Sequence, residues 1–355
     1  MADDDAEEVL AAWVTISLAS GLRRRSDWRC IADPSEMPAL DMGESREAAE
    51  GETLALARRV LARLGPTDRV IPWSSPLYPG SLRTLEDPPP VLFVRGATVA
   101  LDAPAIAVVG ARDATAYGVA VARQLGTALG ELGVTVVSGL ALGVDGAAHR
   151  GALVAGAQTL AVVGAGVDVD YPRQHGRLRE EIVARGAIVS ELPPGTPPLK
   201  QHFPQRNRLI SGLAHGVIVV EASLRSGSLV TARHALAQGR EIFAVPGSIS
   251  SARSRGPHAL LKAGAKLVES VDDVLAELPR VAAWVQARRL TAEGTPGRDD
   301  GPILAAVAAG AGTIDEIAAK TGQGVPELWN SLLTLELRGR LVRGPGGRFA
   351  LSVAG

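Results

Sequence analysis

Between Lys200 and Arg208 the chain sets one aromatic ring, Phe203, among three cations, Lys200, Arg206 and Arg208. Those residue types suit single-stranded nucleic acid, whose bases stack on a ring and whose phosphates pair with cations. Pro204 has no backbone N–H and biases Phe203 toward an extended shape, so the ring is expected on a loop just before a helix from about Gln205. A plainer arrangement is a helix entry with Phe203 in the core and the arginines in solvent, since charge runs and single aromatics are common on ordinary surfaces.

Other turns offer related chemistry. Gly110-Ala111-Arg112 follows an apolar run. The glycine permits close backbone approach, the amides of the next helix suit an anion, and Arg112 adds a planar donor fork; an ordinary strand-to-helix turn is the alternative. Ser226-Gly227-Ser228, with Thr231 one turn on, is a small-residue loop opening a helix, flanked by Arg225 and Arg233. Gly164 and Gly166 form half of a dinucleotide fingerprint, but Val169 stands where its third glycine belongs. Asp145 and His149, four apart, have the spacing of an acid–base pair or half a metal site. With no third ligand or nucleophile in sight, a helix-capping Asp145 and a packed His149 are preferred. There is no P-loop, no Gly-x-Ser-x-Gly elbow and no carboxylate cluster with metal spacing, so binding explains these turns better than catalysis.

These turns are expected at strand ends. From Ile106 to Leu278, apolar strands such as Ile106–Val109, Val134–Val137, Thr159–Val163 and Val217–Val220 alternate with amphipathic helices, the pattern of a doubly wound, mostly parallel sheet. Such sheets bind ligands at the carboxyl ends of their strands. Val91–Val94 is expected as an antiparallel edge element after a proline-rich stretch. Residues 1–66 read as a helical domain, 67–279 as the α/β domain, 280–300 as a polar linker and 301–355 as three helices plus a hairpin, a winged helix. In the last unit Thr313 and Glu316 make a capping box, Gly322 ends that helix and Pro326 begins the next. Its third helix, to Arg338, carries Glu327 and Glu336, poor electrostatics for a major-groove reader, although Arg340, Arg343 and Arg348 near the wing suit phosphates.

The 355 residues carry a net charge of −1, which argues mildly against a DNA binder. The segment from Lys200 to Arg255 nonetheless holds eight Lys/Arg against Glu221 and Glu241 alone, a local positive field. The single cysteine, Cys30, rules out an intrachain disulfide and fits a reducing cytoplasm. The acidic start is unlike a signal peptide, and no apolar run approaches the roughly 20 residues of a membrane span.

Together, Val109-Gly110-Ala111-Arg112, Ser138-Gly139-Leu140-Ala141, Gly164 to Pro172, Phe203-Pro204 with Arg206-Asn207-Arg208, Ser226-Gly227-Ser228 and Pro246-Gly247 resemble the DNA-processing protein A (DprA, or Smf) family over about residues 70–278. The ends, a SAM-like helical domain and a winged helix, look like that family's variable flanks. The resemblance implies a Rossmann-like domain that forms homodimers and binds single-stranded DNA without catalysis or cofactor. It also implies protection of incoming DNA and loading of RecA during natural transformation, in the cytoplasm. Arg112 would contact phosphate, Lys200 would lie in the basic pocket and Phe203 would stack a base. The expected DNA-binding set is Gly110, Arg112, Lys200, Phe203, Arg206, Arg208, Gly227, Ser228 and Thr231. The competing reading is an enzyme or sensor for a nucleotide or nucleoside phosphate on a related scaffold, with Asp145, Glu191 or Glu221 as the needed carboxylate.

Overall fold

The computed structural model describes residues 2–20, 46–294, 300–337, 341–344 and 348–351. Cys30, Arg338 and Arg340 lie outside the described residues. The chain forms two compact units, residues 1–282 and 283–355.

In the first unit, α1 (Ala2–Ser20) and α2 (Arg46–Leu61) precede a sheet. Trp13 and Val14 of α1 share an apolar cluster with Val91, Phe93 and Ile188, so this helical segment is seated on the sheet. The nine strands are β1 (Asp68–Pro72), β2 (Val91–Gly96), β3 (Ala105–Val109), β4 (Thr135–Ser138), β5 (Thr159–Val162), β6 (Ala187–Ser190), β7 (Gly216–Val219), β8 (Glu241–Ala244) and β9 (Lys266–Leu267), and they lie in the order β1-β2-β6-β5-β4-β3-β7-β8-β9. Strands β3 to β9 are parallel, and β2 joins β6 antiparallel. Every residue of β3 is buried, as expected of a strand covered on both faces. Val91–Val94, expected at the edge, is internal instead. The edge strand on that side is β1, whose pattern is hidden by Pro72 and Pro76; a strand-terminal proline costs no ladder bond there.

Strand order reverses at β3. The chain moves from β3 outward through β4, β5 and β6, then returns to place β7 on the other flank of β3. The loops after β3 and β7 therefore diverge to opposite faces and leave a crevice between them. The helices that follow are α3 (Gly80–Arg83), between β1 and β2, then α4 (Ala116–Glu131), α5 (Val144–Val154), α6 (Gly176–Arg185), α7 (His202–Leu213), α8 (Ser228–Ala237), α9 (Arg255–Lys262) and α10 (Val271–Glu277). The extended shape expected of Phe203 gives way to helix. Pro204 sits in the first turn of α7, where a missing N–H leaves no intrahelical bond unmade.

The second unit contains α12 (Asp300–Ala308), α13 (Ile314–Thr321), α14 (Val325–Leu337) and the hairpin of β10 (Leu341–Arg343) and β11 (Phe349–Leu351). The capping box is formed: Thr313 Oγ1 accepts the Glu316 amide, and Glu316 accepts the Thr313 amide at 3.1 Å. Gly322 closes α13 with φ 71°. Across the unit boundary, α11 (Pro279–Gly294) occupies most of the expected linker. Its Ala, Leu, Gln and Arg content favours helix, and of the expected linker only the turn-rich residues 295–299 lie outside the described set.

A bidentate clamp joins β1 to β2: Arg95 donates to both Asp68 oxygens at 2.6 and 2.8 Å, and the Gly65 amide adds a third bond at 2.8 Å. Burial alone would raise the Asp68 carboxyl, but the Arg95 fork and the amide outweigh it and hold the group below its ordinary value. A depressed folded pKa stabilises the fold above the unfolded pKa, about 3.9, and that contribution is lost as pH falls through the folded value. Asp68→Asn should lower Tm at neutral pH, and the gap to wild type should shrink as pH drops below about 4, followed by thermal unfolding monitored by circular dichroism.

Candidate nucleic-acid interface

The crevice beside β3 is an open cleft of about 920 Å³. One wall is Val109-Gly110-Ala111-Arg112, after β3; the facing wall is Ser226, Gly227, Ser228 and Thr231, after β7. Lys200, Phe203 and Arg206, at the start of α7, close one side. The structure thus brings together eight of the nine expected site residues, Arg208 being the exception.

Phe203 is half-buried. Its ring lies 5.7 Å from that of Tyr171, tilted by 36°, with the Arg112 guanidinium 5.1 Å over it and that of Arg206 at 6.0 Å. Gly164 provides the seat: a Cβ there would stand 3.1 Å from Phe203 Cδ1. The incomplete fingerprint therefore serves a ring and not a pyrophosphate. A small cavity of about 70 Å³, lined by Leu142, Val169, Tyr171, Pro172 and Phe203 among others, opens behind the ring. Tyr171 is 37% exposed, lines both spaces, and was missed in the sequence. Its signal was an isolated aromatic in the turn after β5, where the other strand-end turns carry small residues.

Arg206 and Arg208, expected at the DNA with a solvated pair as the plainer alternative, are both buried. Arg206 is 5% exposed. It donates to the carbonyl of Gly139 at 2.9 Å and to that of Val162, tying the ends of β4 and β5 together. Leu140 adopts a left-handed φ of 57°, and the flanking amides of Gly139 and Ala141 both donate to Asp145 Oδ2, at 3.1 and 3.3 Å. Burial pulls the Arg206 guanidinium down to about 10, opposed by Asp145, and pushes the Asp145 carboxyl up, opposed first by Arg206. A guanidinium at about 10 stays charged at neutral pH, so Arg206 forms a wall of the cleft while spending its donors inward. Arg208 faces elsewhere, donating to Glu191 at 2.6 Å and to Asp87 at 3.4 Å. Expected among the DNA contacts, Arg208 does not line the cleft and here crosslinks Glu191 and Asp87.

Asp145 does not cap α5, whose first flanking residue is Gly143, and it does not meet His149. His149 is fully buried, with Nδ1 2.7 Å from Thr159 Oγ1, and burial lowers it to about 3. The acid–base pair is therefore absent. The start of α4 is likewise filled from within: Glu221 accepts the Thr115 amide at 2.9 Å and its hydroxyl at 2.6 Å. Gly110 is set by packing, since a Cβ would meet Val144 at 2.6 Å. At α8 the Ser228, Leu229 and Val230 amides already have acceptors in the turn, leaving the helix dipole and hydroxyls to face the cleft. Around Gly227 a Cβ would meet nothing within 4 Å, so its missing side chain keeps that wall open.

Most of the cleft's charges have partners. Arg253 binds Asp113 at 2.6 Å, and Arg206 and Asp145 attract one another. Arg112 and Lys200, both exposed, are left to face the cleft. The three candidates for the carboxylate that the competing enzyme reading needs are each engaged: Asp145 with two amides, Glu191 with Arg208, and Glu221 with Thr115. Among the described residues no group of three or more His, Cys, Asp or Glu could hold a metal, and no helix is long and apolar enough to cross a membrane.

A doubly wound sheet with a cationic, ring-lined cleft at its switch point, followed by a winged helix, defines a Rossmann-like binding domain with an appended winged-helix unit. The chain belongs to the DprA family. Residues 69–279 match the family described as DNA recombination-mediator protein A, and residues 287–347 match the DprA winged helix domain. Protein Smf of Escherichia coli (strain K12) is 44% identical over 288 residues, 79% of this chain and 77% of that protein. DNA processing protein DprA of Bacillus subtilis is 45% identical over 210 residues, 59% of this chain and 71% of that one. The X-ray structure of DprA from Streptococcus pneumoniae aligns with a TM-score of 0.61 and 37% identity, covering 76% of this chain and 92% of that one. DprA from Helicobacter pylori, described for its single-stranded DNA binding mode, aligns with a TM-score of 0.52 and 33% identity over 57% of this chain and 93% of that one.

The crosslinking role of Arg208 has a direct test. Arg208→Ala leaves the partly buried Glu191 without its partner and should cost up to about 3 kcal/mol in urea denaturation, the low end for a broken buried pair. Replacing both partners, Arg208→Met with Glu191→Leu, should recover most of that loss. A single variant as stable as wild type would contradict the assignment.

Proposed function

We propose that the cleft binds single-stranded DNA and that the protein is a non-enzymatic recombination mediator. It protects DNA entering the cell in natural transformation and loads RecA onto it, acting in the cytoplasm as a homodimer formed through the Rossmann-like domain. The observation that carries the single-strand reading is the Phe203 ring, set beside Tyr171 at a cleft mouth with Arg112 and Lys200 left over to meet phosphates. A ring stacks any base and two cations hold the backbone, giving binding with little sequence preference. Membership of the DprA family and the DNA-binding relative from Helicobacter pylori support the same reading. The RecA and dimer steps rest on the family resemblance.

Fluorescence anisotropy of labelled oligo-dT, titrated with salt, tests the reading. Phe203→Ala should cost about 1–3 kcal/mol of affinity with the salt slope kept. Arg112→Ala and Lys200→Ala should each reduce the slope of log K against log salt by about 0.7, one phosphate for each cation. Wild type that fails to bind at low salt would overturn the proposal.

Gly227 gives an independent handle. Its φ of −61° and open surroundings admit a side chain. Gly227→Val should leave Tm nearly unchanged while narrowing the cleft and weakening oligo-dT binding about tenfold. Unchanged affinity in a folded variant would show that the strand does not approach α8.

A further inference from the structure

A second basic groove, of about 530 Å³, lies outside the cleft and is lined by Arg123 of α4, Arg150 and Val154 of α5, Gln174, and Arg177 and Glu181 of α6. Arg177 pairs with Glu181, the groove's acid, at 3.0 Å. Arg123 and Arg150 are exposed and make no ion pair among the described residues. The fold forces these two cations onto neighbouring turns. A Cβ at Gly151 would stand 2.2 Å from the Arg123 carbonyl oxygen, so α4 and α5 touch backbone to backbone where the arginines emerge. With the groove's one carboxylate taken by Arg177, the like charges of Arg123 and Arg150 are mutually unfavourable, and an anion between them relieves this.

Two segments run from the cleft to this groove. Helix α5 places Asp145 on the cleft and Arg150 on the groove, roughly 7–8 Å apart along the axis at about 1.5 Å per residue. The turn after β5 places Tyr171 on the cleft and Gln174 on the groove, with exposed Arg173 between them. No aromatic ring lines the groove, so it has means to hold phosphates but none to stack bases.

We infer that this groove is a second site for the phosphate backbone of single-stranded DNA, taking up the strand that leaves the cleft past Tyr171. The inference rests on the single-strand reading of the cleft and extends it to strands longer than the cleft holds.

The test compares full-length wild type with Arg123→Ala/Arg150→Ala on labelled oligo-dT of about 6 and about 20 nucleotides, over a salt titration. The short oligo should bind both proteins alike. On the long one the variant should bind about tenfold more weakly, with the salt slope reduced by about 1.4, about 0.7 for each phosphate that the variant no longer neutralises. Arg123→Lys/Arg150→Lys, which keeps the charge, should keep the slope. Long-oligo binding identical to wild type would overturn the inference and leave the groove to an acidic protein segment. Equal weakening on both lengths would also overturn it, because the arginines would then be acting on the cleft. Wild type that binds neither oligo would overturn the cleft reading together with this one, whereas short-oligo binding with an unaffected long strand removes the groove alone.

Discussion

The buried guanidinium of Arg206 holds the site together. Its donors reach the carbonyls of Gly139 and Val162, at the ends of adjacent parallel strands. Asp145 balances its charge, and Asp145 is itself held by two amides that converge because Leu140 takes a left-handed turn. A charge without such partners would not survive burial. Arg206 thereby fixes the first turn of α7 and, with it, the position of Phe203 against Gly164 and Tyr171. A stacking platform needs this rigidity, because a ring free to rotate would surrender much of its stacking energy to ordering.

The topology explains why the site collects residues so distant in sequence. Arg112 follows β3, Phe203 begins α7 and Ser228 begins α8, yet all border one crevice because the strand order reverses at β3. Around that crevice the chain satisfies most of its own polar groups. Glu221 fills the helix start that follows β3, and Arg253 is bound to Asp113. What remains unspent is the rings of Phe203 and Tyr171 and two cations, a set matched to a polymer of bases and phosphates and poorly matched to acid–base catalysis.

Much of this was legible in the residues. Alternating apolar strands and amphipathic helices specify the parallel sheet, and the Thr313–Glu316 spacing specifies a helix start that forms as expected. The cleft residues were also legible, because small residues and cations at strand ends have few other uses. The direction in which a cation points was not. Arg206 and Arg208 read as DNA contacts beside Phe203, with a solvated pair as the plainer alternative, but their partners lie at Gly139, Val162, Glu191 and Asp87, and no local pattern announces a contact 121 residues away. Phe203 was neither of the forms expected, being in a helix yet at the cleft, because the first turn of a helix tolerates Pro204 as well as a loop does. Tyr171 escaped notice because its importance comes from a neighbour 32 positions on, which only the fold supplies.

Stacking of a base on Phe203, from a platform fixed by Arg206, is tested most directly by the fluorescence of 2-aminopurine placed within an oligo-dT, since that base is quenched when it stacks on a ring. Wild type should quench the probe on binding, and Phe203→Ala, at saturating protein, should leave it bright. Equal quenching by the two proteins would contradict the account and move the base to another part of the cleft.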